Sequence, residues 1–503
     1  MSEFHGYEIM TNSVTDTTVR RGSFYISKDN AFRYIPKWNR GKGYFAATGF
    51  VQPVLQVPFF ATGLAIDKLT HSGRTYRVFF TRLYSPFVTA LAAVCIFFLM
   101  LWARKSVRWA TAISLLFAVA SLAWPYSKIG MEPTLMLAVL GALLSAWKAG
   151  RSKDYRLWAL TGLLIGLALG TKPYGLLPAL GVLPLLVPIL RKSDNRTRLK
   201  LIASLFLPIV AFAVMYLWYN WYRTGSPLST GYPSPPYSLT SIFNFLGALF
   251  SPGKGLIWYS PLVVLGALGF PRLWRSQKPL AVSLLTIFLL GAIPASSGWW
   301  GDEGWGPRYL VPVAWVFIIP IAWWVNSLNR KRILLFITCA AIFVQLLGVL
   351  FRYDQYFIAM KSGGLTGEKV YDGRRGTVSN YPSYGWDPVR WIPEVSPLLF
   401  NAEAFYSKGH RLLGRGDRTV YYAPFGGHVG SYNFSRTAFP DLWWINPTNR
   451  MTEVLPPKHT IYKNPSAITA LLFLLLSASS FYGIFRLLQG TKKGTRSTRK
   501  AGA

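Results

Sequence analysis

The amino-acid sequence predicts an all-α polytopic integral membrane protein with about 11 transmembrane helices. Three observations support this: long apolar runs recur along the chain, short basic clusters separate them, and 51% of the residues are hydrophobic although the formal net charge is +35. A nucleic-acid binder with this charge would ordinarily be poor in large apolar residues. The aromatic content of 16% also excludes a disordered chain.

The candidate spans are apolar runs close to the roughly 20 residues that cross a bilayer as a helix. Several are short or contain proline, which is tolerated where a helix is buried among neighbours. The predicted spans are 84–103, 109–126, 131–148, 156–171, 174–190, 200–220, 255–270, 279–297, 308–326, 332–350 and 466–488.

Basic clusters fall on alternate connections between these spans, and the positive-inside rule assigns that side to the cytoplasm. We therefore expect a multi-pass cell (inner) membrane protein with a cytoplasmic C-terminus and extracytoplasmic large loops. The basic tail 491–500 is explained as a topology signal that contacts anionic lipid, without nucleic acid as a partner. The other clusters are Arg104/Lys105/Arg108, Lys148/Arg151/Lys153/Arg156, Arg191/Lys192/Arg196/Arg198/Lys200, Arg272/Arg275/Lys278 and Arg330/Lys331/Arg332.

This orientation divides the chain into five regions. They are an extracytoplasmic first loop with juxtamembrane helices (1–83), a transmembrane helical bundle (84–350), an extracytoplasmic mixed α/β or irregular region (351–465), the last transmembrane helix (466–488) and a basic cytoplasmic tail (489–503).

Two explanations of the start of the chain stay open. Either a first membrane helix upstream of Met1 is missing, or the segment 50–64 spans the membrane and the N-terminus is cytoplasmic. The polar residues and prolines of that segment favour a re-entrant or interfacial helix over a lipid-facing one. They are Gln52, Pro53, Gln56 and Pro58.

Cysteine and histidine predict neither a disulfide framework nor a zinc site. Cys95 and Cys339 lie in separate apolar runs, and the five histidines show no ligand spacing. No cofactor is predicted from them, while a divalent metal on carboxylates stays possible, with Glu8, Asp302 and Glu303 as the candidates.

Charged residues at the outer ends of the spans are few, and polar groups at membrane depth are costly and usually functional. For each one, a solvated loop position or a snorkelling anchor is the alternative. Together they indicate a basic, aromatic-lined face. These residues are Lys128, Glu132, Lys172, Arg223, Lys254, Asp302, Glu303 and Arg308.

Two outer motifs contain half of these charged residues. The loop GWWGDEGWGPRYLVP (298–312) delivers Arg308 to the start of a span, where a guanidinium pairs well with a phosphate. Its Trp299, Trp300 and Trp305 could stack on a sugar ring or belong to the interfacial belt. The second motif, SPGKGLIWYSP (251–261), places Lys254 in a tight turn but lacks the spacing of a nucleotide phosphate loop.

This pair of motifs resembles the polytopic GT-C superfamily of membrane glycosyltransferases, which includes protein mannosyltransferases and aminoarabinose transferases. The resemblance extends over roughly residues 1–350, and 351–465 matches only loosely. Its further motifs are GYEIMTNSVTDTTVRRGSF (6–24), YFAATGFVQPVLQVPFFATG (44–63), SKIGMEPTL (127–135) and LGTKPYGLL (169–177).

The resemblance implies sugar transfer from a polyprenyl-phosphate carrier to a lipid, glycan or protein acceptor on the outer face, with or without a metal. The family's catalytic carboxylate is usually an Asp in the first outer loop. Glu8 is the candidate here because this loop offers Glu3, Glu8 and Asp16 instead. The resemblance further implies Lys172, Lys254 and Arg308 as donor-phosphate ligands. Glu132 would orient one of them, or serve packing or helix N-terminal stabilisation.

Two alternatives from other classes remain. One is a transporter or flippase of lipid-linked sugars, which would show internal repeats and charges near mid-span, and the sequence has neither. The other is a non-catalytic membrane subunit or scaffold that derives from a glycosyltransferase. Such a subunit would keep the spans and outer loops without needing the catalytic carboxylate.

Overall fold

The computed structural model describes residues 25–26, 44–45, 49–71, 75–128, 132–229, 242–296, 304–325, 327–351, 356, 370–372, 377–379, 391, 393, 396–412, 419–422 and 430–433. Within these ranges the chain is mostly helical. The predicted last span 466–488 and the basic tail lie outside the described residues.

Most of the longer helices follow the predicted apolar runs. In chain order they are α1 (Val51–Thr70), α2 (Thr75–Trp102), α3 (Val107–Val119), α4 (Glu132–Ala149), α5 (Tyr155–Thr171), α6 (Asn195–Thr224), α7 (Ile242–Phe250), α8 (Leu262–Ser276), α9 (Lys278–Ala295), α10 (Leu328–Leu350) and α11 (Pro397–Leu412).

Four of the described helices, α2, α6, α9 and α10, are long and apolar enough to cross a membrane. Helix α6 presents Leu207 and Val214 to the outside, with 72% and 59% of their surface exposed. Apolar side chains exposed along a long helix are typical of a surface that faces lipid. The other described helices do not meet this criterion of length and apolar composition, so the described part does not establish 11 spans.

Proline interrupts two of the predicted spans. The 174–190 run is divided among Pro173–Gly175, Leu176–Leu180, Leu183–Leu185 and Val187–Lys192. The 308–326 run is divided among Arg308–Leu310, Val311–Ala314, Trp315–Phe317 and Ile321–Trp324. Proline lacks the backbone N–H and clashes with the preceding turn, so these runs form consecutive short turns that are largely buried inside the bundle. Shorter helical pieces also occupy Ala123–Tyr126 and Leu256–Tyr259.

The basic clusters gather at one end of the bundle. Lys105 Nζ donates to the carbonyl of Ala322 at 3.1 Å. Arg272 and Arg330 both donate to the carbonyl of Trp324, at 3.2 and 2.9 Å. Helices that start at this end are capped by side chains, with Asp154 accepting from Arg156 N at 2.9 Å and Asp194 accepting from Thr197 N at 3.1 Å. This end is the one that the sequence assigns to the cytoplasm.

Close helix packing depends on small residues. A Cβ on Gly162 of α5 would overlap the carbonyl oxygen of Leu205 on α6, and a Cβ on Gly266 of α8 would overlap that of Phe317. Glycine therefore lets the backbones approach closely, as in many membrane helix pairs. One large apolar core runs through the described bundle, with Trp158 and Trp315 among its fully buried side chains.

Three antiparallel strand pairs lie outside the bundle segments. In the first loop, β1 (Tyr25–Ile26) pairs with β2 (Tyr44–Phe45). After α10, β3 (Val370–Asp372) pairs with β4 (Thr377–Ser379), and after α11, β5 (Thr419–Tyr422) pairs with β6 (Gly430–Asn433). The described pieces of the 351–465 region are thus one helix and two hairpins.

Candidate functional site

A buried carboxylate and two cations meet at the bundle end opposite the basic clusters. Glu132 Oε1 accepts a hydrogen bond from Lys172 Nζ at 3.0 Å and another from Arg308 Nε at 2.8 Å. Glu132 is 0% exposed, Lys172 4% and Arg308 2%. We call this group the Glu132 cluster.

Each member of the Glu132 cluster is next to a proline. The proline restricts the backbone conformation there and so helps to orient the charged side chain. Glu132 opens α4 and precedes Pro133, at a helix N-terminus that favours a negative charge. Lys172 ends α5 in an extended conformation, as expected for a residue that precedes proline. Arg308 follows Pro307 and begins the turn Arg308–Leu310.

The described part of the Glu132 cluster holds two positive charges and one negative charge. Burying ions is unfavourable unless they are paired and hydrogen-bonded, and here a single carboxylate oxygen pairs with both cations. The other oxygen, Oε2, has no hydrogen-bond partner among the described residues. Among the described residues, two cations therefore meet at one buried carboxylate oxygen.

Aromatic rings surround the ammonium of Lys172. Its Nζ lies 5.6 Å from the ring centroid of Tyr174 and 5.7 Å from that of Tyr309. A cation over the face of a ring is attracted by the ring quadrupole. Lys172 thus lies in the basic, aromatic-lined surroundings that the sequence indicates for this face.

Lys254, the other predicted phosphate ligand, is also fully buried. Its Nζ donates to the carbonyl of Gly304 at 3.0 Å, and its backbone N–H donates to Ser251 Oγ at 3.2 Å. The SPGKG turn therefore contacts the loop that leads to Arg308. In the described structure Lys254 fastens this loop, and a role on phosphate stays a prediction.

The segment 304–308 is held from several sides. Tyr126 donates its hydroxyl to the carbonyl of Trp305 at 3.0 Å. Gly306 has φ +64°, and a Cβ there would overlap the ring of Tyr259. Trp305 itself is 1% exposed and packs edge-on against Tyr259, with ring centroids 5.0 Å apart. Trp305 is thus a packing residue here, because its ring has no open face for a sugar.

Two further outer cations contact the protein. Lys128 donates to the carbonyls of Val349 and Phe351 at 2.7 and 3.2 Å, and so caps the end of α10. Arg223 at the end of α6 donates to Asn220 Oδ1 at 2.8 Å and lies 4.9 Å from the ring centroid of Tyr219. The structure therefore places these two cations at helix ends on the outer side of the bundle.

A buried polar network that the sequence analysis missed joins the motif 251–261 to α10 and α11. The Tyr259 hydroxyl donates to the carbonyl of Gly253 at 2.9 Å and accepts from Leu398 N at 3.1 Å. Gln345 Nε2 donates to the carbonyl of Tyr259 at 2.5 Å, and Asn401 Nδ2 donates to that of Leu347 at 3.1 Å. The available signal was Gln345, a polar residue inside an apolar run.

Several predicted site residues lie outside the described residues. They are Glu8, Trp299, Trp300, Asp302 and Glu303. Among the described residues no group of three or more His, Cys, Asp or Glu side chains is placed to hold a metal ion. The carboxylates named as possible metal ligands all belong to the undescribed set, so a metal site stays an open prediction.

Comparisons with known proteins give one weak likeness. No family model matches the sequence, and no curated protein matches it. A comparison of structures finds the Archaeoglobus fulgidus oligosaccharyltransferase, crystallised with Zn and sulfate, at a TM-score of 0.38 and 14% sequence identity. The match covers 78% of this chain and 57% of that one, so this chain spans little more than half the length of that protein. A TM-score of this size does not establish a shared fold.

Proposed function

We propose that this protein is a membrane glycosyltransferase that moves a sugar from a polyprenyl-phosphate carrier to an acceptor on the extracytoplasmic face. The Glu132 cluster is the observation that carries this proposal. Lys172 and Arg308 are separated from Glu132 by 40 and 176 positions in sequence, yet both contact the same carboxylate oxygen.

The chemistry of the reaction explains why such a cluster would be useful. As the bond between the sugar and its phosphate breaks, the phosphate keeps the electron pair and its negative charge increases. Cations that are fixed in advance in a water-poor site stabilise this charge more strongly than cations in water do. Arg308 and Lys172 are the residues we assign to this task, with Lys254 as a third candidate.

Glu132 is a positioning residue in this proposal. It holds the ammonium and the guanidinium close together, where two cations without a carboxylate would repel each other. The acceptor hydroxyl gives its proton to a general base as it attacks the sugar, and Glu8 is the candidate for that base. An acceptor proton taken by a carboxylate completes the balance of the transfer.

The test is sugar transfer by the purified protein from a panel of polyprenyl-phosphate sugars. We expect Arg308→Ala and Lys172→Ala to lower kcat/KM at least about 100-fold each, because each removes a contact to the charge that develops on the phosphate. Glu8→Gln is expected to lower kcat with little change in KM. The matched control is Lys68→Gln, which removes an exposed cation from α1.

Other outcomes distinguish the alternatives. A wild-type protein that binds the lipid but transfers no sugar from any donor would contradict the proposal and favour a scaffold. Movement of intact donor lipid across proteoliposomes without transfer would favour a flippase. Equal losses in Lys68→Gln and Arg308→Ala would show that only the overall charge matters.

A further inference from the structure

The opposite end of the bundle carries a second cation cluster, formed where α2 and α4 end side by side. Arg151 lies with its guanidinium 3.8 Å from the ring centroid of Trp147, and Lys148 Nζ lies 5.5 Å from that of Trp102. Partial burial, and then the charge of the nearby Arg104, lower the pKa of Arg151 below its ordinary value. Arg104, Lys148 and Arg151 therefore bring three positive charges to one place.

This group has donors but no opposite charge. Among the described residues, neither Arg104, Lys148 nor Arg151 forms an ion pair with a carboxylate. All three side chains are exposed at the bundle surface. Donors that gather without an acceptor are suited to an anion, and a phosphate matches the fork of a guanidinium.

The backbone of Arg104 adopts a conformation that usually belongs to glycine. Helix α2 ends in a Schellman motif, in which Lys105 N donates to the carbonyl of Met100 and Arg104 N to that of Leu101, both at 3.0 Å. Arg104 therefore takes the left-handed position of this motif, with φ 62°. Glycine is the preferred residue there, so the sequence keeps an arginine side chain at the expense of local strain.

The surroundings indicate that the anion belongs to a lipid. Trp102 is 37% exposed and Val107 is 62% exposed, so apolar side chains adjoin the cations at the end of a span. A soluble phosphate needs no such neighbours, whereas a phospholipid presents acyl chains beside its headgroup. Anionic lipids also collect in the leaflet that faces the cytoplasm, the side to which the sequence assigns this end.

We propose that Arg104, Lys148 and Arg151, stacked on or beside Trp102 and Trp147, form a binding site for the headgroup phosphate of an anionic phospholipid. The site is at the bundle end opposite the Glu132 cluster and does not depend on the proposed glycosyl transfer. Its function would be to hold a lipid of the cytoplasmic leaflet at the junction of α2, α3 and α4.

The test measures binding of fluorescent phosphatidylglycerol to the full-length protein in uncharged detergent at about 0.5 M salt, where interactions beyond contact distance are largely screened. Arg151→Gln is expected to raise Kd about tenfold, since a charge-assisted hydrogen bond is lost. Arg104→Gly is expected to raise Kd as well, while the protein melts at the same or a higher temperature because the strain is relieved. The matched control Lys153→Gln removes an exposed cation from the same loop and is expected to leave Kd unchanged.

The Arg104→Gly variant keeps the test decisive even if Arg151→Gln fails to fold. An unchanged Kd in Arg104→Gly would overturn the proposal. So would displacement of the lipid by an equal concentration of inorganic phosphate, because the ligand would then be a free anion. Phosphatidylcholine that binds as tightly as phosphatidylglycerol would also contradict the site, since the zwitterionic headgroup carries no net charge.

Discussion

Glu132 occupies a place where an unpaired carboxylate would be strongly unfavourable. It is 0% exposed, and its Oε1 is the atom through which both cations are held. Removing one partner from a buried ionic group leaves the other charges uncompensated. This destabilises a protein more than replacing the whole group by apolar residues does. The stability of the outer end thus depends on this side chain.

Substitution of Glu132 gives a prediction about stability. Glu132→Gln is expected to lower the free energy of unfolding by about 3 kcal/mol, because it removes the buried negative charge that Lys172 and Arg308 share. The measurement is denaturant unfolding of the purified protein in detergent, followed by tryptophan fluorescence.

The double variant Glu132→Gln/Arg308→Gln is the control, since it removes one of the two cations at the same time. It is expected to recover part of the loss seen in Glu132→Gln. If the effects of the two substitutions on the free energy of unfolding are additive, the two side chains do not interact. That result would contradict the geometry of the Glu132 cluster.

Sequence alone could name these residues but not their partners. Glu132, Lys172 and Arg308 stand out because charges at span ends are rare, and all three were predicted as site residues. Nothing in the spacing shows that two of them share one oxygen, because long-range packing decides it. Lys254 illustrates the same limit, since its bond to the Gly304 carbonyl depends on how two loops meet.

Individual helices follow the apolar runs where proline does not recur, and a single interior proline such as Pro208 of α6 is tolerated. The predicted span 131–148 corresponds to Glu132–Ala149, and 156–171 corresponds to Tyr155–Thr171. The proline-rich runs 174–190 and 308–326 were also recognised as apolar and as containing proline, and the structure divides each of them into short consecutive pieces. Each proline removes a backbone donor, so the chain turns repeatedly inside the bundle.

The packing of α5 against α6 gives a prediction about stability. Gly162→Ala is expected to lower the free energy of unfolding by about 2 kcal/mol, because the new Cβ would overlap a backbone oxygen of α6 that cannot move alone. The change in the free energy of unfolding is measured by denaturant unfolding in detergent.

Gly141→Ala is the matched control, because its nearest neighbour is the flexible Leu164 side chain at 3.3 Å. Since alanine favours helix, this control is expected to be neutral or stabilising. Equal losses in both variants would contradict the close approach.

The molecule as a whole has two chemically different ends. One gathers the basic clusters around the carbonyls of Ala322 and Trp324, and the other holds the Glu132 cluster and the capped end of α10. Alternation of basic loops along the sequence was enough to predict this division. Which end faces the cytoplasm is a prediction from the positive-inside rule.

Orientation is tested by labelling single cysteines in intact cells with a membrane-impermeant maleimide, in a background of Cys95→Ala and Cys339→Ala. Leu228→Cys, at a site that is 81% exposed beyond the end of α6, is expected to react. Lys153→Cys, in the loop before α5, is expected to react only after the cells are opened. The reverse pattern would invert the whole arrangement and place the Glu132 cluster in the cytoplasm.

We propose that the Glu132 cluster recognises the phosphate of a lipid carrier. The most direct measurement compares binding of a short-chain polyprenyl phosphate with that of the matching polyprenol, which lacks the phosphate, for the wild type and Arg308→Ala. We predict that the wild type binds the phosphate at least about 100-fold more tightly than the alcohol, and that Arg308→Ala loses most of this preference. Equal affinity of the wild type for both lipids would contradict phosphate recognition by the Glu132 cluster.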